Sequence, residues 1–366
     1  MTIETDIEAQ LLKLRDEIDN LDDQMLIFLN QRMDIVKKVG ELKRSNNAII
    51  YRPEREKKII DRLSDLSTGL TNKKAIEAIF LEIFAAARNI ELPEKISYLG
   101  PDGTFSHQAA ESRFGAMSEY LPMGSIRSVF ESVETERVRF GVVPIENNQE
   151  GTVIETIDLL GELNVKIVAE ILMPIHFTLA TQSDKLQDIK IIYSKDIAFG
   201  QCKKFLSEYF ENQHVELIPI ESTSKAAKMA AENPNCAAIC SHIAAKLFDV
   251  PILFDNIEDS QSNTTRFLII GKDFHNQRSG ADKTSIVVNL PDTDKPGSLF
   301  RFLSEFNIRD INIIKIDSRP IRNKNKFQAW FYIDFEGHKD DVAIKEIFHK
   351  YSNQIKWVGS YVKISD

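Results

Sequence analysis

The chain has 366 residues, enough for two or three domains with their own cores, and an ordinary composition with 43% hydrophobic residues. A formal charge of −9, with no basic patch interleaved with aromatics, argues against a nucleic-acid partner. The first ten residues carry Glu4, Asp6 and Glu8 and no apolar run, so neither a secretory signal nor a membrane span is expected, and a cytoplasmic location follows.

Cys202, Cys236 and Cys240 are odd in number and fit neither a disulfide framework nor a zinc site, so they read as core thiols. No two histidines share a metal-binding spacing, which makes metal chemistry an unlikely reading. GxGxxG and GxxxxGK[ST] are absent, so no nucleotide cofactor is implied.

The first segment, residues 1–93, has helical periodicity. Leu11, Leu14, Ile18, Leu21, Met25, Phe28, Arg32, Ile35, Val39 and Leu42 form one seam, which predicts a long helix to about Arg44, ending in Ser45, Asn46 and Asn47. Pro53 opens a second helix to Leu66, and Gly69 and Asn72 precede a third, Lys73 to Asn89. The first would overhang the other two, so a helical dimer is expected to cover its seam.

Arg32 stands on that seam where an apolar residue belongs. A guanidinium keeps its proton, so a carboxylate must neutralise it or a pocket must exist there for an anionic ligand. Lys43 lies three turns on, nearly on the same face and about 16 Å away along the axis. Arg15 is about 25 Å back on another face and reaches that pocket only from an antiparallel partner helix. Arg55 and Glu56 open the second helix, and Glu91 follows the third.

With Leu11 to Asp19, Gln31-Arg32, Val39 to Lys43 and Tyr51 to Glu56, this pattern resembles the all-helical chorismate mutase family. The resemblance implies an intertwined dimer in which Arg15 crosses the two-fold. Arg32 and Arg55 would hold the carboxylates of chorismate, Lys43 its ether oxygen and Glu56 its ring hydroxyl. Glu91 stands where many members place a glutamine donor, and a carboxyl donates only when protonated. Burial beside a developing anion would raise its pKa, so the reaction is expected to favour mildly acidic pH. Ala87 replaces a serine of some members.

Residues 94–273 alternate short apolar runs with helical stretches, the rhythm of an α/β domain of two lobes with largely parallel strands. The runs are Ile96–Leu99, Phe140–Val143, Ile175–Ala180, Ile189–Tyr193, Val215–Ile220, Ala237–Cys240 and Phe267–Ile270. The loop Gly100 to Ser106 opens a helix whose N–H groups suit a carboxylate, with Ser106 near the cap. Glu146 and Asn147 end a buried strand, at the sheet edge where ligands gather. Ser222-Thr223-Ser224 precedes another helix.

Asn263-Thr264-Thr265-Arg266-Phe267, with the Gly100 loop, Gly141 to Asn147 and Glu258-Asp259, resembles prephenate dehydratase. That family's fold is two lobes around a cleft, similar in shape to periplasmic binding proteins. The resemblance implies that prephenate loses CO2 and water, with Thr265 assisting departure of the ring hydroxyl. Threonine is too weak an acid to protonate it outright, so Thr265 is read as a hydrogen-bond donor. Gln201 matches a position near the substrate, and Arg266 would bind a carboxylate or brace the cleft. Ser194-Lys195-Asp196 replaces a common Ser-His-Pro, and Asn148 replaces a common serine.

Residues 274–366 begin with a polar linker, Asp273 to Asp282. Strand Thr284–Asn289, helix Pro296–Phe306, strands Ile313–Asp317 and Phe327–Phe335, helix Asp341–Tyr351 and strand Lys356–Val362 make an α+β, ferredoxin-like βαββαβ module. Gly297-Ser298-Leu299-Phe300 and Asp317-Ser318-Arg319-Pro320 resemble the two phenylalanine-binding motifs of the ACT regulatory domain. Ser298 and Asp317 replace the usual alanine and glutamate.

The three resemblances imply a homodimer, or higher homo-oligomer, that converts chorismate to prephenate and prephenate to phenylpyruvate under feedback by L-phenylalanine. Neither cofactor nor metal is implied. A monofunctional dehydratase with a dimerising helical segment, or a non-catalytic amino-acid sensor, are the rival readings. Retention of Arg15, Arg32, Lys43, Arg55 and Glu56 disfavours the first, and Thr265 the second.

Overall fold

The computed structural model describes residues 2–45, 51–211, 213–260, 262–290, 295–321 and 329–364. Asn46, Asn47 and Phe327, named above as element ends, lie outside them.

Helix α1 (Thr2–Ser45) spans 44 residues. It is followed by α2 (Pro53–Leu66), with Pro53 in its first turn, and α3 (Lys73–Glu91), where the Asn72 side chain accepts from Ala75 N at 2.9 Å. The apolar seam of α1 has no cover in the single chain: Leu11, Leu14, Ile18, Leu21, Met25 and Phe28 are 46–65% exposed. Gly40 allows α1 to lie close on α3, since a Cβ there would sit 3.0 Å from Glu91 Cα.

The first α/β lobe contains β1 (Lys95–Leu99), α4 (Phe105–Phe114), β2 (Glu119–Met123), α5 (Ile126–Glu134), β3 (Phe140–Asn147), β4 (Gly151–Thr152), α6 (Ile154–Glu162) and β5 (Lys166–Pro174). The chain then crosses to β6 (Thr178–Thr181), β7 (Ile191–Ser194), α7 (Asp196–Gln201), α8 (Lys203–Phe210), β8 (Glu216–Pro219), α9 (Thr223–Glu232), β9 (Cys236–Cys240), α10 (His242–Leu247) and β10 (Ile252–Phe254). It returns to the first lobe as β11 (Thr264–Gly271).

The sheet orders are β2-β1-β3-β11-β5, with β4 on β3, and β10-β6-β9-β7-β8. Both sheets are mixed, which corrects the expectation of largely parallel strands. Strand β1 pairs parallel with β2 and β3, but β11 pairs antiparallel with both β3 and β5. A strand that returns from the other lobe enters its sheet from the opposite end. Strands β2, β4, β5 and β10 were not expected from the sequence. In β5 the charge of Glu170 interrupts the apolar run Ile167 to Met173.

The last module holds β12 (Asp282–Val288), α11 (Ser298–Ile308), β13 (Ile313–Pro320), β14 (Ala329–Glu336), α12 (Val342–Lys350) and β15 (Ile355–Val362), in an antiparallel sheet ordered β13-β14-β12-β15. It sits against β5: a Cβ on Gly359 would fall 2.4 Å from Ile167 O, so only glycine permits this approach. The connector is not the loose linker its polarity suggested. Phe274 is buried against Tyr51 and Phe140, and Asn276 Nδ2 donates to Val168 O at 2.7 Å and Ser360 O at 2.9 Å. The three cysteines are buried free thiols, and burial pushes Cys240 up to about 12.

Candidate active sites

Arg32, Lys43, Arg55, Glu56 and Glu91 line one cavity of about 640 Å³ between α1, α2 and α3. Helical spacing explains why: Arg32 and Lys43 share the α1 face turned to α3, and Arg55 and Glu56 lie in the first turn of α2. Arg32 Nη1 is buried with no hydrogen-bond partner among the described residues, and the guanidinium lies 5.8 Å from the Phe84 ring centroid. Desolvation, reinforced by Arg55, lowers its pKa from the usual value, although arginine remains charged.

A half-buried guanidinium with one orphaned nitrogen beside a second arginine is chemically suited to an anion. Lys43 Nζ donates to Glu91 Oε2 at 2.7 Å. Glu56 turns toward Arg88, which donates to its Oε1. Arg15 is exposed on α1, far from this cavity of its own chain. Arg52, Glu54, Arg88 and Gln277 also line the cavity and were not singled out from the sequence. Gln277 comes from the connector, nearly two hundred residues further along, and no local pattern could have placed it there.

At the start of β11 a chain of side-chain amides surrounds Thr265. Asn147 Oδ1 accepts from Gln149 N and Glu150 N, both at 2.9 Å, which fixes the amide orientation. Its Nδ2 therefore faces Thr265 Oγ1 and Asn263 Oδ1, at 2.8 Å each. Because Thr265 Oγ1 accepts from Asn147, its own proton is available to donate elsewhere. Asn263 Nδ2 continues to Gln201 Oε1 at 3.1 Å, and Gln201 Nε2 to Gln149 Oε1 at 3.1 Å, so Gln201 joins the group from the second lobe. Asn148 is structural, its Oδ1 accepting from Thr264 N at 3.0 Å.

Ser106, Ser222 and Thr223 lie where the lobes meet. Ser224 Oγ donates to Asp102 O, and Ser241 Oγ donates to Gly103 O at 2.7 Å, so the second lobe grips the Gly100 loop. Thr104, not Ser106, caps α4, and the buried Ser106 is the second residue of its first turn. Ser222 caps α9, accepting from Lys225 N at 3.1 Å. His176 Nδ1 and Glu258 Oε1 lie 2.6 Å apart at the crossing between lobes.

Comparison with known proteins agrees with this division. Residues 14–92 match the family model "Chorismate mutase type II", residues 96–275 "Prephenate dehydratase" and residues 284–353 "ACT domain". A bifunctional chorismate mutase/prephenate dehydratase of Aquifex aeolicus is 40% identical, over 97% of this chain and 98% of its own. The chain belongs to that bifunctional family. A Pseudomonas aeruginosa enzyme of the same description is 36% identical over 97% of this chain and 98% of its own. The solved prephenate dehydratase of Arthrobacter aurescens, in complex with L-Phe, superposes with a TM-score of 0.66 at 32% identity, covering 74% of this chain and 90% of its own.

Within this family member, two expected substrate residues lie elsewhere. Arg266 Nε donates to Glu170 Oε2 at 2.8 Å, Nη1 to Asp334 Oδ2 at 2.7 Å and Nη2 to Tyr361 Oη at 2.9 Å. Strand alternation turns it away from the face of Thr265 and into the buried junction with the ACT domain. Glu146 alternates out in the same way and pairs with Lys315 Nζ of the ACT domain at 2.8 Å.

The ACT residues divide similarly. Gly297, in the left-handed region at φ 81°, precedes α11, which starts with Ser298, Leu299 and the exposed Phe300. Asp317, Ser318, Arg319 and Pro320 lie on edge strand β13. There Arg319 forms a bidentate pair with Asp158 of α6, at 2.7 and 2.9 Å, and Asp317 Oδ2 accepts from Thr152 Oγ1 of β4 at 3.4 Å. Both therefore tie the ACT domain to the dehydratase in this chain. Among the described residues no helix is long and apolar enough to cross a membrane, and no cluster of three or more ligating side chains is placed to hold a metal.

Proposed function

We propose that this bifunctional enzyme rearranges chorismate to prephenate in the helical cavity and converts prephenate to phenylpyruvate, CO2 and water at Thr265. The observation that carries the first site is Arg32, a half-buried cation whose Nη1 has no hydrogen-bond partner among the described residues, beside Arg55 in a cavity also lined by Lys43 and Glu91. The rearrangement is intramolecular, so it needs a fold that holds the substrate in its reactive shape and donors for charge growing on the breaking C–O bond. Arg32 and Arg55 hold the carboxylates, Lys43 and Glu91 face the ether oxygen, and Glu56 accepts from the ring hydroxyl.

At the second site Thr265 donates to the departing ring oxygen while decarboxylation supplies the electron pair and aromatisation drives the step. Asn147 and Gln201 orient it, and the helix openings at Ser106, Ser222 and Thr223 receive the carboxylates. The exposed seam of α1 supports an intertwined homodimer in which Arg15 enters the partner's cavity. L-Phenylalanine is read as the effector, bound at Gly297 to Phe300 and Asp317 to Pro320 of a ferredoxin-like module in a cytoplasmic enzyme.

Supplying chorismate and then prephenate tests both sites. Arg32→Ala is expected to lose only the first step and Thr265→Ala only the second; loss of both from either substitution would refute two separate sites.

A further inference from the structure

The carboxylate assigned above to the ring hydroxyl is not held by the mutase helices alone. Glu56 is reached from two sides. Arg88 of α3 donates to Oε1. Arg113, at the end of α4 in the dehydratase domain, brings Nη2 to 3.4 Å from Oε2. Oε2 is buried and accepts no hydrogen bond among the described residues, so it is the oxygen left for a ligand hydroxyl.

Arg113 is itself fixed. Its Nε donates to Tyr51 Oη at 2.6 Å, and its carbonyl accepts from Arg88 Nη2 at 3.0 Å. Tyr51 is fully buried and packs on Phe114 and Phe140, both of the dehydratase domain. A guanidinium braced in this way is a second fixed positive charge on Glu56, and it holds the carboxylate to a single rotamer.

We propose that Arg113 is a positioning residue of the mutase site contributed by the dehydratase domain, holding the Glu56 carboxylate aimed at the substrate's ring hydroxyl. This rests on the reading of the helical cavity as the mutase site. A plain domain-to-domain tie would use the same contacts but would not alter recognition of one substrate hydroxyl.

The test measures that recognition in the full-length enzyme. Mutase KM and kcat are determined for chorismate, and competitive inhibition constants for two non-reacting chorismate analogues that differ only in the ring hydroxyl. The wild type is expected to favour the hydroxylated analogue, and Glu56→Ala to lose that preference. Arg113→Met should reduce the preference and mutase kcat/KM by about tenfold. Dehydratase turnover of prephenate should change by less than about twofold. Arg113→Lys should recover part of the preference, because the charge returns without the planar fork. In Glu56→Ala/Arg113→Met the preference should equal that of Glu56→Ala alone.

If Glu56→Ala keeps the wild-type preference, the assignment of Glu56 fails and the proposal with it. If Glu56→Ala loses it and Arg113→Met does not, the cavity reading stands and the proposal is overturned. Equal losses of both activities in Arg113→Met, with the preference unchanged, would make Arg113 a structural tie and also overturn it. Should Arg113→Met not fold, Arg113→Gln, which keeps a donor toward Tyr51, is read against the same outcomes.

Discussion

Whatever faces the ether oxygen must donate to it. Glu91 lines the cavity, and its Oε2 accepts from Lys43 Nζ at 2.7 Å. Glu91→Ala is expected to lower mutase kcat/KM by about tenfold or more, whereas Glu91→Gln, which keeps a side-chain donor, should retain most of it. An alanine variant as active as the wild type contradicts the assignment.

Glu94, one turn beyond α3, is 4% exposed with Arg139 3.8 Å away, and burial pushes its carboxyl up to about 7. The folded chain thus keeps a proton that the unfolded chain loses at its usual value of 4.5. Its contribution is at its best below that value and is lost as pH rises through about 7. Glu94→Gln should stabilise the enzyme by ~2 to 3 kcal/mol at about pH 8 and by nothing near pH 4, read by denaturant titration at both.

Among the elements, β11 decides most. Its alternation gives Thr265 to the amide cluster and Arg266 to the junction, where Arg266, Lys283, Glu170 and Asp334 are all buried. Burial opposes ionisation of Asp334, yet the Arg266 guanidinium holds its carboxyl below the usual range. Arg266→Met leaves buried carboxylates underpaired and is expected to cost about 3 to 5 kcal/mol by chemical denaturation. At temperatures where that variant remains folded, KM for prephenate should not change and inhibition by phenylalanine should weaken. A large rise in KM would return Arg266 to the substrate.

For the whole molecule, the uncovered seam of α1 is the dominant fact. Six large apolar side chains on one face of a helix predict association, and the proposal that Arg15 enters a partner's cavity would tie that association to the mutase reaction. Leu21→Lys with Phe28→Lys is expected to shift sedimentation toward smaller species and to remove most mutase activity. Dehydratase activity should fall far less. A variant that becomes monomeric with full mutase activity would exclude a shared site.

Periodicity, caps and short motifs depend on neighbours a few residues apart, and these were readable in the chain. The three helices, the opening of the second at Pro53, the βαββαβ order and the shared helix face of Arg32 and Lys43 came from them. The mixed sheets, the packed connector at Phe274 and Asn276, and the partners of Arg266, Glu146 and Arg319 did not. Each depends on a segment brought in from elsewhere in the fold, in several cases more than a hundred residues away in the chain. Local sequence determined which residues carry charge and which face of an element they occupy; only tertiary packing decided what that charge meets, because burial and pairing belong to the assembled interface and not to either strand or helix alone.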